Sequence, residues 1–477
     1  MSSPLGQDIH TVNIGLEHFT KALADSGSPF VDLDWRPPAS GDARLIELLL
    51  RVRSAPKNDQ GLTTREAANR EAARRVMAGQ PVLTGLRPAH EAFPGMTRET
   101  LFHAGPPIDW AGMCGPMRAA CIGALKYEGL ASTDAEAQAL MDSGKIDYSP
   151  NHSHGAVGPM TGIISYSMPV FEVLNQTFGN TAYCTINEGI GKVMRFGANG
   201  LEVIERLLWL EQVLGPALDQ AIRSSGGVNV KNVMAQALAM GDEMHQRNVA
   251  ASLVFHSQIA GSLAAVLDGS PHGPAIAAFL AGGNQQFFLN LAMAGCKALM
   301  DPARDVKHSS MVTAMSRNGV RFGINVSSLG SRWFQAPCNM PVGLYFPGYS
   351  EKDANPDMGD SAIVECAGLG GFAMACSPAV VSFVGSESVA DALRHSREMQ
   401  TITVAPNPDL PMPPLDFLGV ATGIDIVEVV ESGVLPVINT GIAHREPGVG
   451  QVGAGIVTPP MAIMVEALEA YVEKEGL

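Results

Sequence analysis

The stretch "NEGIGKVMRFGANG", from Asn187 to Gly200, sets two cations, Lys192 and Arg195, three residues apart behind Gly189 and Gly191. At a helix start that spacing would turn backbone N–H groups and both side chains toward one anion. The segment therefore reads as a phosphate cradle with Asn187 and Glu188 at its mouth. It is not a Walker loop, since it lacks both the four-residue gap between glycines and a hydroxyl residue after the lysine. The plainer alternative is a capped surface helix with two solvated cations.

Other polar clusters stand in apolar company. "NHSHGAVGPMTG" places His152 and His154 two apart, which on a strand could supply two metal ligands. Spacing fixes no third ligand, and Glu243, His245, Asp357 or Asp360 would have to be recruited from a distance. A loop histidine that handles a proton is the commoner use. "MGDEMHQRN" (240–248) and "NPDMGDSAIVE" (355–365) are polar runs in apolar company, and Asp242, Glu243 and Arg247 form either a buried charge network or catalytic groups. "INTGIAHREPGVGQVGAG" (438–455) carries Asn439, Thr440, His444 and Arg445 ahead of Gly448, Gly450 and Gly453. Those glycines spell G-x-G-x-x-G. The strand read at "VLPVI" lies too far upstream, and too little sequence follows for a further βαβ unit, so a dinucleotide fold is not expected. A ligand loop and a tight structural turn both remain open. No G-x-S-x-G elbow is present and neither Cys114 nor Cys121 has a signature pairing it with a histidine, so covalent catalysis has no support.

These residues need elements to hold them. Residues 11–35 ("VNIG", "LEHFTKALADS", "FVDLDW") read as β-α-β, followed by the amphipathic "DARLIELLLRVRS" and the polar linker "SAPKNDQG". Thr63 and Thr64 can cap the helix "REAANREAARRVMAG", and "PVFEVL" and "AYCTI" are strand candidates. From 199 to 300 the apolar period becomes helical, through "HQRNVAASLVFHSQIAGSLAAVL" and "NQQFFLNLAMAGCKALM". Short strands and helices then return and end in "PPMAIMVEALEAYVEKEG". The expected fold is mixed α/β (α+β): an N-terminal β-α-β extension (1–60), a first α/β part (61–198), an inserted all-α subdomain (199–300) and a C-terminal α/β part (301–477).

A net charge of −15 disfavours non-specific nucleic-acid binding, and 46% hydrophobic content over 477 residues allows a large core. Seven cysteines without a CxxC pair suit a reduced, cytoplasmic setting. "MSSPLGQDIH" lacks the basic flank and apolar run of a secretory signal, so export is not expected. Gly368, Gly370, Gly371 and Pro378 break the uncharged run from Cys366 to Ser386, which reads as buried strand and helix rather than a membrane span.

Seven ordered blocks carry a family resemblance: "HAGPPIDW", "GPMRAACIGA", "AVGPMTG", "NEGIGKVMRFGA", "MGDEMHQRN", "NPDMGDSAI" and "INTGIAHREPGVGQVGAG". Over about residues 64–475 the chain resembles the family of the AllG subunit of oxamate carbamoyltransferase, from anaerobic allantoin breakdown. The resemblance implies a mixed α/β fold with a helical subdomain. It also implies a reversible reaction in which oxalurate and phosphate give oxamate and carbamoyl phosphate. The implied partners are an acyl-CoA-synthetase-like subunit and a third subunit, and residues 11–40 resemble a segment of the synthetase-like one.

Carbamoyl transfer asks for a phosphate cradle, donors for a carbonyl oxygen and a group that handles the amine proton, with no cofactor, metal or covalent intermediate. Lys192, Arg195 and the 189–191 backbone are expected to hold phosphate. His152 or His444 is expected to take the proton or polarise the carbonyl, and Arg118 or Arg445 to hold a substrate carboxylate. Further contacts are expected from Asn187, Glu188, Glu243, Arg247, Asn248, Asp357, Asp360, Asn439, Thr440 and Gly450. An amide or ureido hydrolase, and a non-catalytic partner of a synthetase-like subunit, are the alternatives.

Overall fold

A computed structural model describes residues 11–14, 17–27, 30–33, 37–189, 191–282, 284–381 and 388–477. The opening decapeptide, the end of "FVDLDW" and the end of the Cys366–Ser386 run lie outside the described residues. The chain is a mixed α+β protein with several small sheets packed among helices.

Strands Thr11–Ile14 and Phe30–Leu33 pair in parallel across the helix Glu17–Asp25, which gives the expected β-α-β unit. Thr63 caps the helix Thr64–Ala78 through a reciprocal box with Glu66. A four-stranded antiparallel sheet follows, in the order Thr181–Thr185, Pro169–Asn175, Pro81–Pro88, Val228–Asn229. Its last strand comes from the zone read as all-α, which is otherwise helical. Gly226 and Gly227, both at positive φ, turn the chain into that strand, and Asn229 then caps the next helix.

The helix Phe287–Met300 has all fourteen of its residues buried and packs against the Pro169–Asn175 and Thr181–Thr185 strands. A helix apolar on every side can only be stable as a core element. Val249–Leu267 is equally apolar but largely exposed beyond Ile259. Among the described residues it is the one helix that is long and apolar enough, by length and composition, to cross a membrane.

Among the described residues three further sheets build the C-terminal part: Phe334–Pro337, Arg321–Val326, Val312–Asn318 and Met358–Gly359 in one, Val342–Tyr345, Gln451–Val457 and Ile438–Ala443 in another, and the antiparallel pair Thr403–Met412 and Leu418–Ile424 in the third. The strand expected at "VLPVI" begins only at Ile438, because Pro436 has no N–H to donate to a ladder. The described part of the Cys366–Ser386 run is a buried series of short helical turns with no strand.

Candidate functional site

The G-x-G-x-x-G glycines lie in a hairpin. Gly448 and Gly450 take positive φ in its turn, and Gly453 sits in the returning strand, where a Cβ would lie 2.4 Å from the Leu344 carbonyl oxygen. There glycine permits close approach between strands.

This hairpin turn meets two other loops. Gly448 N–H donates to the Phe196 carbonyl (2.9 Å), and Thr161 N–H donates to the Arg195 carbonyl (3.1 Å). Together with the 240–248 loop they border a small cleft lined by Asn187, Arg195, His245, Gln246, Gln286 and Ser361, with Met160, Gly441 and Gln451 around them.

Arg195 is the cation of this cleft. It lies on a 3₁₀ turn, Met194–Phe196, and not on the expected helix start. Gly189 and Gly191 adopt left-handed φ, Val193 is extended, and the next α-helix begins at Leu201. The guanidinium donates to Asn187 Oδ1 (2.8 Å) and to the Gly189 carbonyl (2.8 Å). Among the described residues no carboxylate pairs with it. Glu188 instead accepts from the backbone N–H groups of Met194 (2.7 Å) and Arg195 (3.0 Å). Burial pushes the Arg195 pKa below the usual arginine value, opposed by the Glu188 charge and reinforced by Arg206. Two carbonyl oxygens solvate part of the cation, and among the described residues no carboxylate is in salt-bridge contact with it.

Lys192 stands apart, exposed to solvent. Gly191 faces the hairpin turn, its carbonyl oxygen 3.9 Å from the position a Cβ on Gly450 would take.

The opposite wall is a carboxylate-braced loop. Glu243 is fully buried, its Oε1 accepts from the N–H groups of His245 (3.0 Å) and Arg247 (2.7 Å), and its Oε2 accepts from Asn439 Nδ2 (3.0 Å). Burial raises its pKa from 4.5 to about 6. Arg247 pairs instead with Asp242 (3.2 Å), and Asn248 donates to Gln286 Oε1 (3.0 Å). His245 Nδ1 lies 2.8 Å from Glu365 Oε1.

Behind the cleft, Arg317 is fully buried and donates to Asp357 (2.6 Å) and the Gly359 carbonyl (2.7 Å), while Thr440 donates to the other Asp357 oxygen (2.7 Å). Asp360 accepts from Asn151, Ser316 and the N–H groups of Gly105 and Gly158, and burial raises its pKa.

The other expected site residues point elsewhere. His152 and His154 share a 3₁₀ turn, not a strand, and their rings diverge. His154 stacks on Phe102, whereas His152 is buried edge-on to Trp333, with Nε2 3.6 Å from Asp360. Burial, then Lys297 and Arg304, press the His152 pKa well below its usual value. Among the described residues no three metal-ligating side chains converge. His444 Nδ1 accepts from the Glu446 N–H (2.9 Å) on the outside of the hairpin, and Arg445 is exposed. Arg118 is committed to the carbonyls of Trp110 and Ala111 and lies over the Trp110 ring. Gln246, Gln286, Ser361 and Glu365 are not among the expected site residues, and His245 is expected only as a recruited metal ligand, although it lies inside the "MGDEMHQRN" run.

The fold is mixed α+β, and its cleft sets Arg195, without a carboxylate in salt-bridge contact among the described residues, beside the carboxamides of Asn187, Gln246 and Gln286. Residues 146–361 match the family described as oxamate carbamoyltransferase subunit AllG. The chain is 47% identical to the AllG of Escherichia coli K12 over 86% of its own length and 98% of that protein. It is 41% identical to YahG of the same organism, an uncharacterized protein, over 100% of this chain and 99% of YahG. A solved structure of a conserved protein of unknown function from Enterococcus faecalis V583 superposes with a TM-score of 0.85 at 44% identity, covering 88% of this chain and 99% of that one. The chain belongs to the AllG family.

Proposed function

We propose that this chain is the carbamoyl-transfer subunit of an assembly that exchanges a carbamoyl group between a ureido acid such as oxalurate and phosphate, giving an oxamate-like amide and carbamoyl phosphate. The observation that carries this reading is Arg195, a cation in the cleft wall with no carboxylate partner among the described residues. Such a charge is completed by an anion brought with the substrate, and a phosphate or carbamoyl phosphate suits the guanidinium's remaining N–H groups. Gln246 and Ser361 can then donate to the carbamoyl oxygen, where charge develops in the tetrahedral intermediate.

The name of the Escherichia coli relative, a subunit, supports an assembly. The synthetase-like and third subunits are the proposed partners, and the setting is cytoplasmic. The β-α-β extension supports a docking role. AllG is matched over 98% of its length by only 86% of this chain, and the extension's two-stranded sheet exposes Val12 and Val31, its helix Phe19. A two-stranded sheet with bare apolar residues is marginal alone.

Two measurements test the reading. Phosphate and carbamoyl phosphate should raise the melting temperature of the wild-type chain but not of Arg195→Gln. With partner subunits added, ureido acids and phosphate should yield carbamoyl phosphate. Turnover without phosphate would indicate a hydrolase, and no stabilisation by either anion would remove the cleft from the reaction.

A further inference from the structure

Across the cleft from Arg195, the Glu243-braced loop presents His245. The ring is 4% exposed and lines the cleft. Its Nδ1 faces Glu365 Oε1, which also accepts the backbone N–H groups of Gly371 (3.0 Å) and Asn439 (3.2 Å). An oxygen already accepting two amides is an acceptor for the imidazole as well, so Nδ1 carries the ring proton. That leaves the lone pair on Nε2, which has no hydrogen bond within the described protein and is not among its sealed polar atoms.

The arrangement is built and not incidental. Glu365 is fully buried on the turn Ile363–Cys366, and a Cβ on Gly370 would lie 1.9 Å from its Oε1, so only glycine lets the chain wrap this carboxylate. Asn439 holds both buried acids, Glu243 through its side chain and Glu365 through its backbone. The charged groups facing His245 are therefore Glu365, Glu243 and, across the cleft, Arg195. Neither His152, sealed beneath Trp333, nor His444, on the outer hairpin, reaches this space.

We infer that His245 Nε2 carries the proton in carbamoyl transfer and that Glu365 is the positioning residue that fixes its tautomer. This rests on the reading of the cleft as the transfer site. In the synthetic direction the amide nitrogen attacks the carbamoyl carbon, a C–N bond forms, and Nε2 takes the N–H proton. The C–O bond to phosphate then breaks, and the imidazolium returns that proton to the departing phosphate. Carbamoyl phosphate dianion and amide acid monoanion thus give ureido acid monoanion and hydrogen phosphate dianion, with no net proton exchanged. The reverse direction moves the same proton from hydrogen phosphate to the leaving amide.

The test uses the full chain assembled with its partner subunits. His245→Gln should lower kcat by roughly 10²–10⁴-fold, while the KM for phosphate and the phosphate-induced rise in melting temperature stay within about twofold of wild type, in keeping with a group that acts on the proton alone. Added imidazole should partly restore His245→Ala. An active wild type with an equally active His245→Gln overturns the carrier and leaves the cleft reading intact. Loss of phosphate binding together with kcat makes His245 a ligand contact and also overturns it. A wild-type assembly that binds phosphate yet makes no carbamoyl phosphate breaks the underlying reading, and the carrier with it. Because Glu365→Gln disturbs a buried network, the tautomer is read on the wild-type chain by ¹⁵N NMR of labelled histidine. A proton on Nδ1 at neutral pH is expected, and one on Nε2 would refute the role of Glu365.

Discussion

Arg317 and Arg195 are guanidiniums withdrawn from bulk water in one molecule, and the protein treats them differently. Burial works against the Arg317 charge, but the charge and hydrogen bond of Asp357 beside it, helped by the Glu365 charge, keep its pKa above the usual arginine value. Arg195 has carbonyl oxygens for company and a lowered pKa. The first arrangement is self-contained. The second has donors to spare and a cleft in front of them, which is the ground for the proposed anion.

The largest effect should follow from opening the closed pair. Arg317→Leu strands Asp357 in the core and should cost about 3–5 kcal/mol in urea unfolding, whereas Arg195→Gln should leave stability nearly unchanged. Equal losses would erase the distinction. Next, phosphate at about 100 times its Kd should stabilise the wild type by roughly 2.7 kcal/mol and Arg195→Gln by nothing measurable in the same titration.

Glu243 offers an acidic counterpart, a buried carboxylate held by backbone N–H groups and an amide. With its pKa raised from 4.5 to about 6, the folded chain binds a proton more readily than the unfolded one across that window. Stability should therefore fall as pH rises from about 4.5 to 6, by roughly 2 kcal/mol from this group. Glu243→Gln should lose that slope relative to wild type, and Asn439, whose Oδ1 is unpartnered, can rotate its amide to accept from the new one. An unchanged slope would place the raised pKa elsewhere. The smallest effect belongs to Lys192→Ala. This exposed position should change stability by less than about 0.5 kcal/mol, and any loss of phosphate affinity should vanish as salt screens it. A salt-resistant loss would bring Lys192 into the cleft.

Local rules were legible. The Thr63–Glu66 box starts a helix where its spacing says, and the strands Pro169–Asn175 and Thr181–Thr185 fall on the β-branched and aromatic runs. The three-residue step from Lys192 to Arg195 misled because it presumes a helix, and left-handed glycines at 189 and 191 make a loop instead. At "VLPVI" the apolar run outweighed the missing proline donor. His245 drew notice only as a metal recruit, since its partner Glu365 lies 120 residues away and is brought to it by the fold. No local spacing encodes a contact of that kind. Nor does apolarity separate the buried helix Phe287–Met300 from Val249–Leu267, which emerges from the core beyond Ile259, because packing partners decide burial.

The helix Phe287–Met300 begins at the cleft, where Gln286 and Leu289 line the wall and Asn290 donates to the Thr185 carbonyl, and near its far end Lys297 reaches the His152 carbonyl. With no free face, it gives the cleft floor little room to diversify: a substitution there that retunes the ligand also disturbs the core. Adaptation toward a different ligand, natural or by directed evolution, should therefore run through rim positions such as Met160, Gln246 and Gln451. Libraries at those three positions should yield altered substrates from folded variants, whereas libraries along the helix should yield mostly unfolded ones.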